Sequence, residues 1–170
     1  MTIRNGAYEF IQRENGFQKA LNSHGIAFGK ENILNCSWAV EDSYHIVTTN
    51  ANKIKKADAL FAITDLLAFG AMQAIRDMGL RIPKDISIIG YDDIPLSASL
   101  RPKLTTIHQP REQIAKNSCK CLIDKLQVAE DLSVKLNLAI RPHLVIRESC
   151  RKSESEITKL PHRLHQNISY

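Results

Sequence analysis

Apolar residues change their spacing several times along this chain, and each change falls at a glycine, a proline or a short polar cluster. Over residues 8–23, Phe10, Phe17 and Leu21 recur at helical spacing and Gly25 follows as a stop, which predicts an amphipathic helix. Residues 33–38 read as a short strand, and the polar-rich 41–56 as a second helix burying Tyr44, Val47 and Ile54. A strand over 57–63 follows. Thr64 and Asp65 then open a third helix, because a short polar side chain accepts from a free first-turn amide and an acid suits the positive end of the dipole. Leu66, Phe69, Ala71, Met72 and Ile75 give that helix a packing face, and Gly79 ends it. After the loop Pro83-Lys84-Asp85, residues 86–91 form a nearly unbroken apolar, β-branched run, the pattern of a strand buried on both faces.

The order helix, strand, helix, strand, helix, strand predicts an α/β fold with a doubly wound parallel sheet, since parallel strands need crossovers and helices supply them. Beyond it, 104–108 reads as a short strand and 111–126 as an amphipathic helix entered at Pro110, with Ile114, Ser118, Cys121, Leu122 and Lys125 along one side. Residues 134–140 and 143–147 read as two final strands divided by Pro142. Residues 151–170, with Pro161 and little periodicity, are expected to be a disordered tail.

With 170 residues, 44% of them apolar and 24% charged, the chain has the composition of one packed domain rather than of a fibrous or disordered protein. Its net charge of +5 raises the question of a nucleic-acid partner. The excess is diffuse, however. Part lies in 151–170, and the densest cluster, Lys53, Lys55 and Lys56, lacks interleaved aromatics and reads as a solvated helix end. No DNA-contacting residue is assigned. No apolar run approaches the ~18 residues of a membrane span, and the first residues lack a signal peptide's apolar core, so no membrane partner and a cytoplasmic location are expected. Cys36, Cys119, Cys121 and Cys150 are expected to be reduced thiols. No nucleophile elbow, phosphate loop or dinucleotide fingerprint occurs, and the six histidines form no supported metal pair, so neither catalysis, nor metal, nor cofactor is expected.

In an open parallel sheet, ligands gather at the carboxyl ends of strands. Trp38, then Thr64-Asp65, then Tyr91-Asp92-Asp93 stand at three such ends. Carboxylates that accept hydroxyl protons beside an indole that covers C–H surface suit a polyhydroxylated small molecule. Each has a plainer reading: Asp65 as a first-turn helix residue, Asp92 or Asp93 as a cap, Trp38 as half-buried core, Arg13 as a solvated helix-face residue.

Four blocks in register change that balance. Arg13-Glu14-Asn15-Gly16-Phe17 with Ala20-Leu21 and Gly25-Ile26; Ala62-Ile63-Thr64-Asp65-Leu66-Leu67-Ala68-Phe69-Gly70-Ala71-Met72; Gly79-Leu80-Arg81-Ile82-Pro83-Lys84-Asp85 running on through Gly90-Tyr91-Asp92-Asp93; and Pro102-Lys103-Leu104-Thr105-Thr106-Ile107-His108-Gln109-Pro110. Together they resemble the effector-binding core of LacI/GalR-family transcriptional regulators, over about residues 8–148. That resemblance implies a periplasmic-binding-protein-like fold (type I) of two subdomains closing on a small effector, usually a sugar or nucleoside-like ligand. It implies ligand-binding roles for Arg13, Trp38, Thr64 and Asp92. Thr64 stands where the family often has asparagine, which removes an amide donor.

The resemblance also divides the chain. Residues 1–108 correspond to the C-terminal subdomain, expected to lack its first helix and strand. Residues 109–138 correspond to a crossover that packs on the N-terminal subdomain, 139–150 to a return strand, and 151–170 to the tail. The implied function is effector sensing by a repressor, as a homodimer that meets operator DNA only through a helix-turn-helix headpiece outside these residues. A transport or chemosensory sugar-binding protein and a truncated remnant of a repressor are the alternatives. The DNA upstream separates them: a helix-turn-helix favours the regulator, a signal sequence the transporter, a stop codon the remnant. With no N-terminal subdomain to cover it, the helix over 111–126 is expected to be exposed, self-associated or reoriented. In a confirmed monomer its amides should exchange faster than those of 86–90; equal protection would contradict this.

Overall fold

The computed structural model describes residues 1–3, 7–127 and 139–151. Chain order is β1 (Thr2–Ile3), α1 (Tyr8–Ser23), β2 (Asn35–Cys36), α2 (Val40–Thr49), α3 (Ala51–Ile54), β3 (Ala59–Phe61), α4 (Asp65–Asp77), β4 (Ser87–Asp92), β5 (Thr105–His108), α5 (Arg111–Gln127) and β6 (His143–Val145). Strands β3, β4 and β5 pair in parallel, and β6 closes the edge antiparallel to β5. β1 pairs in parallel with β2. Met1 joins this pair to β3, donating its nitrogen to Phe61 O at 2.6 Å and accepting from Ile63 N at 3.2 Å.

The parallel α/β architecture expected from the periodicity is therefore present, with β6 reversed. Thr2–Ile3 pairs with β2, and Met1 before it makes two backbone bonds along β3, at Phe61 O and Ile63 N, on the side where the first strand was expected to be missing. The expected strand over 134–140 falls almost wholly, and the tail beyond residue 151 entirely, outside the described residues.

Glycine ends two helices as read. At Gly25 (φ 71°) Ile26 N returns to Leu21 O, and at Gly79 (φ 78°) Leu80 N returns to Ile75 O. Both close the last turn with a 6→1 bond that needs a left-handed residue. The helix expected over 41–56 breaks at Asn50, where the Thr48 and Thr49 hydroxyls bond back to carbonyls of the preceding turn and compete with the helical ladder.

α2 and α4 cover one face of the sheet, burying Val47, Leu67, Met72 and Ile75 against Ile63, Ile86 and Ile88. The helices approach closely at Gly70, and Ser43 Oγ donates to Leu67 O at 2.6 Å across the contact. On the opposite face α1 lies over β3, its Phe17 ring stacked on Phe61 at 4.8 Å. α5 leaves Leu122, Ile123 and Leu126 facing solvent, the last 72% exposed.

A methyl group on Gly70 would strike the Val40 carbonyl and lie 2.9 Å from Ser43 Cβ, whereas one on Gly16 meets nothing within 4 Å. Gly70→Ala should therefore lower the unfolding free energy by ~1–3 kcal/mol, and Gly16→Ala should leave it level or raise it by up to ~1 kcal/mol. Urea denaturation measures both. Equal effects would refute the close approach of α2 to α4.

Candidate functional site

At the carboxyl ends of β3, β4 and β5 the chain gathers groups from four elements. Arg13, one and a half turns into α1, reaches down so that Nη1 donates to Ile63 O at 2.6 Å and to Asp92 Oδ1 at 3.3 Å. Its guanidinium lies 3.9 Å above the Tyr91 ring and 5.2 Å from that of Phe10. Such a cation stacked on an aromatic face is held in one plane, which fixes the direction of its remaining donors. Phe10 in turn meets Trp38 edge to face, with centroids 4.6 Å apart. Trp38 remains 55% exposed, so it is no core residue.

Asp92 ends β4 with φ 119°, and Asp93 follows with φ 51°. Two successive non-glycine residues in left-handed backbone are costly unless the surroundings over-determine them. The surroundings do so. Asp93 pairs with Arg147 through Nη2 and with His108 Nδ1 at 2.8 Å, and its carbonyl accepts from Arg111 at 3.1 Å. Asp92 Oδ1 accepts from Gln109 Nε2 at 2.8 Å as well as from Arg13.

The two neighbouring acids are pushed opposite ways. Burial raises the Asp92 carboxyl above its ordinary value, and Arg13 only partly offsets this. At Asp93 burial also works against the charge, but the bonds and charges of Arg147 and His108 outweigh it and hold the carboxyl below its ordinary value. Asp93 is thus committed to Arg147 and His108, while Asp92 Oδ2 accepts no hydrogen bond among the described residues.

Of the four residues singled out from sequence, Arg13 and Asp92 are in contact and Trp38 joins them through Phe10. Thr64 stands apart. It is 4% exposed, and its hydroxyl accepts from Leu67 N at 3.3 Å as the cap of α4. Gln109 was missed, although it follows β5 at the sheet's carboxyl edge, where the strand-end rule applied to Trp38 and Asp92 would have found it. Tyr91 and Phe10 enter as the surfaces that hold Arg13. Beneath the cluster a cleft of about 710 Å³ opens between α1 and the sheet; Phe17, Phe61 and Ile107 line its wall and Arg13 and Gln109 its rim. Among the described residues, no cluster of three His, Cys, Asp or Glu side chains could hold a metal ion. The four cysteines are free thiols, and burial raises that of Cys36 to about 11. No described helix is long and apolar enough to cross a membrane.

Comparison with known proteins agrees with this fold. Residues 2–150 match the periplasmic binding protein-like domain. The HTH-type transcriptional repressor PurR of Vibrio vulnificus is 33% identical over 141 residues, which are 83% of this chain and 42% of that protein. PurR of Pasteurella multocida is 36% identical over 144 residues, 82% of this chain and 41% of that protein. The chain therefore spans about two fifths of the length of these relatives. Among solved structures, a LacI-family regulator from Enterococcus faecium with bound ribose superposes with a TM-score of 0.71 at 31% identity, covering 81% of this chain and 50% of that one. The lac repressor dimer bound to operator gives 0.72 at 28%, covering 84% and 48%. The chain belongs to the periplasmic binding protein-like domain family, and the likeness to LacI/GalR regulators read from its four sequence blocks is shown.

Proposed function

We propose that this chain is the effector-binding portion of a cytoplasmic transcriptional repressor, a sensor rather than an enzyme, and that it supplies one wall of a site for a small sugar or related metabolite. The observation that carries this is the Arg13–Asp92–Gln109 group beside the exposed Trp38. A fixed cation, a carboxylate and an amide match the alternating donors and acceptors of vicinal hydroxyls, and an indole face covers the ring's C–H surface. The names of the relatives, repressors without exception among the PurR proteins, and the ribose held by the Enterococcus faecium regulator favour the same reading. Trp38, Arg13 and Asp92 contact the effector; Thr64 acts on it only through the helix it caps.

In the whole protein, closure of a second subdomain over this wall would favour one arrangement of a homodimer and so alter its hold on operator DNA. The exposed Leu66 of α4 and Leu96 of the short turn Pro95–Ala98 after β4 are apolar surface that a dimer would cover. The DNA-contacting headpiece lies outside these 170 residues.

Titration calorimetry with ribose as probe tests the assignment. Asp92→Ala removes charge-assisted hydrogen bonds of ~1.5–3 kcal/mol, so affinity should fall roughly 10- to 100-fold. Because Asp92 is held above the ordinary carboxylate value, lowering the pH should weaken binding by the native chain before ordinary aspartates protonate, and the variant should lack that step. An unchanged isotherm on Asp92→Ala would count against the site.

A further inference from the structure

The most deeply buried acid in the described residues is not on the wall at all. Asp65 has no exposed surface, and no cation pairs with it among the described ion pairs. Its charge is met by donors instead: Oδ2 accepts from Ile94 N at 3.0 Å and Ser97 Oγ at 2.6 Å, and Oδ1 accepts from Thr106 Oγ1 at 2.5 Å. It also stands in the first turn of α4, where the helix dipole favours a negative charge. β4 makes room for it at Gly90, whose missing side chain would overlap Asp65 Oδ1.

These partners bracket the left-handed turn. Ile94 follows Asp93 directly, and Thr106, while donating to Asp65, accepts from Asp93 N at 3.4 Å. The amides on either side of Asp93 are therefore tied to one carboxylate on another element, Ile94 N directly and Asp93 N through Thr106. Resting on the reading of Asp92 as an effector contact, we propose that Asp65 is a positioning residue. It never touches the effector, yet it holds the turn in the backbone state that aims Asp92 at Arg13 and Gln109. The bonds of Asp93 to Arg147 and His108 lock the side chain of that turn; Asp65 locks its backbone.

Three variants of this chain separate positioning from plain stabilisation. Asp65→Asn keeps the volume but replaces one acceptor oxygen with a donor facing donors. Thr106→Val breaks one link without altering charge, and Thr106→Ser restores the hydroxyl. The readouts, taken by NMR at temperatures where each variant is folded, are the backbone couplings and shifts that report φ at Asp92 and Asp93 and the exchange rate of the Arg13 guanidinium protons. Ribose affinity is measured in parallel.

Asp65→Asn and Thr106→Val should both lose the left-handed signature at Asp93, speed Arg13 exchange and weaken ribose binding at least about tenfold, while Thr106→Ser keeps all three. If both variants melt earlier but leave the φ signature and Arg13 exchange intact, the positioning role is overturned. Should Asp65→Asn fail to fold, the Thr106 pair alone decides. Native chain that binds no ribose would defeat the effector reading, and the φ and exchange measurements would still decide whether Asp65 sets the turn.

Discussion

A carboxylate without water around it must be surrounded by donors, and much of the carboxyl edge of this sheet is arranged to supply them to Asp65. One donor is a backbone amide and two are hydroxyls, and they come from the turn after β4, the short helix beyond it and the middle of β5. A single side chain thus links three neighbouring segments to the start of α4. The requirement reaches further, because the carboxylate fits only where β4 carries glycine. Remove any one donor and a buried negative charge loses part of its solvation, so the group tolerates change poorly at every member.

The wall stands on this base. The left-handed backbone at Asp92 and Asp93 takes the chain out of the extended strand, and the two adjacent acids meet different partners. One is spent on Arg147 and His108, binding the turn to β5 and the segment after β6. The other looks toward α1 and meets a guanidinium already held by a carbonyl and an aromatic ring. Burial raises the one and its cations lower the other, and the difference in chemistry between two identical residues follows from which way the backbone turns.

The fold was legible in the sequence wherever a single element carries its own signal. α1 begins and ends at Tyr8 and Ser23 as the spacing of Phe10, Phe17 and Leu21 predicts, and the Thr64 cap and the stops at Gly25 and Gly79 act as their chemistry suggests. Signals that depend on distant partners were less legible. β1 is two residues long, too short for any period to reveal, and is set by its pairing with β2. The reversal of β6 is set by tertiary pairing, not by pattern. Of the candidate residues read from sequence, Arg13 and Asp92 come into contact and Trp38 is linked to them through Phe10, whereas Thr64 caps its helix. Gln109 and the contacts of Asp65 went unread because they are made to Asp92 or its turn, and a sequence does not show which residues a turn will bring together.

Whether the effector meets this polar wall or the apolar cleft below it is decided by intermolecular NOEs between isotope-labelled ribose and the chain. Contacts from the sugar's ring protons to the Trp38 indole, with shifts at the Arg13 and Gln109 side chains, are the predicted result. Contacts confined to Phe61 and Ile107 in the cleft, or none to Trp38 at saturating sugar, would contradict it.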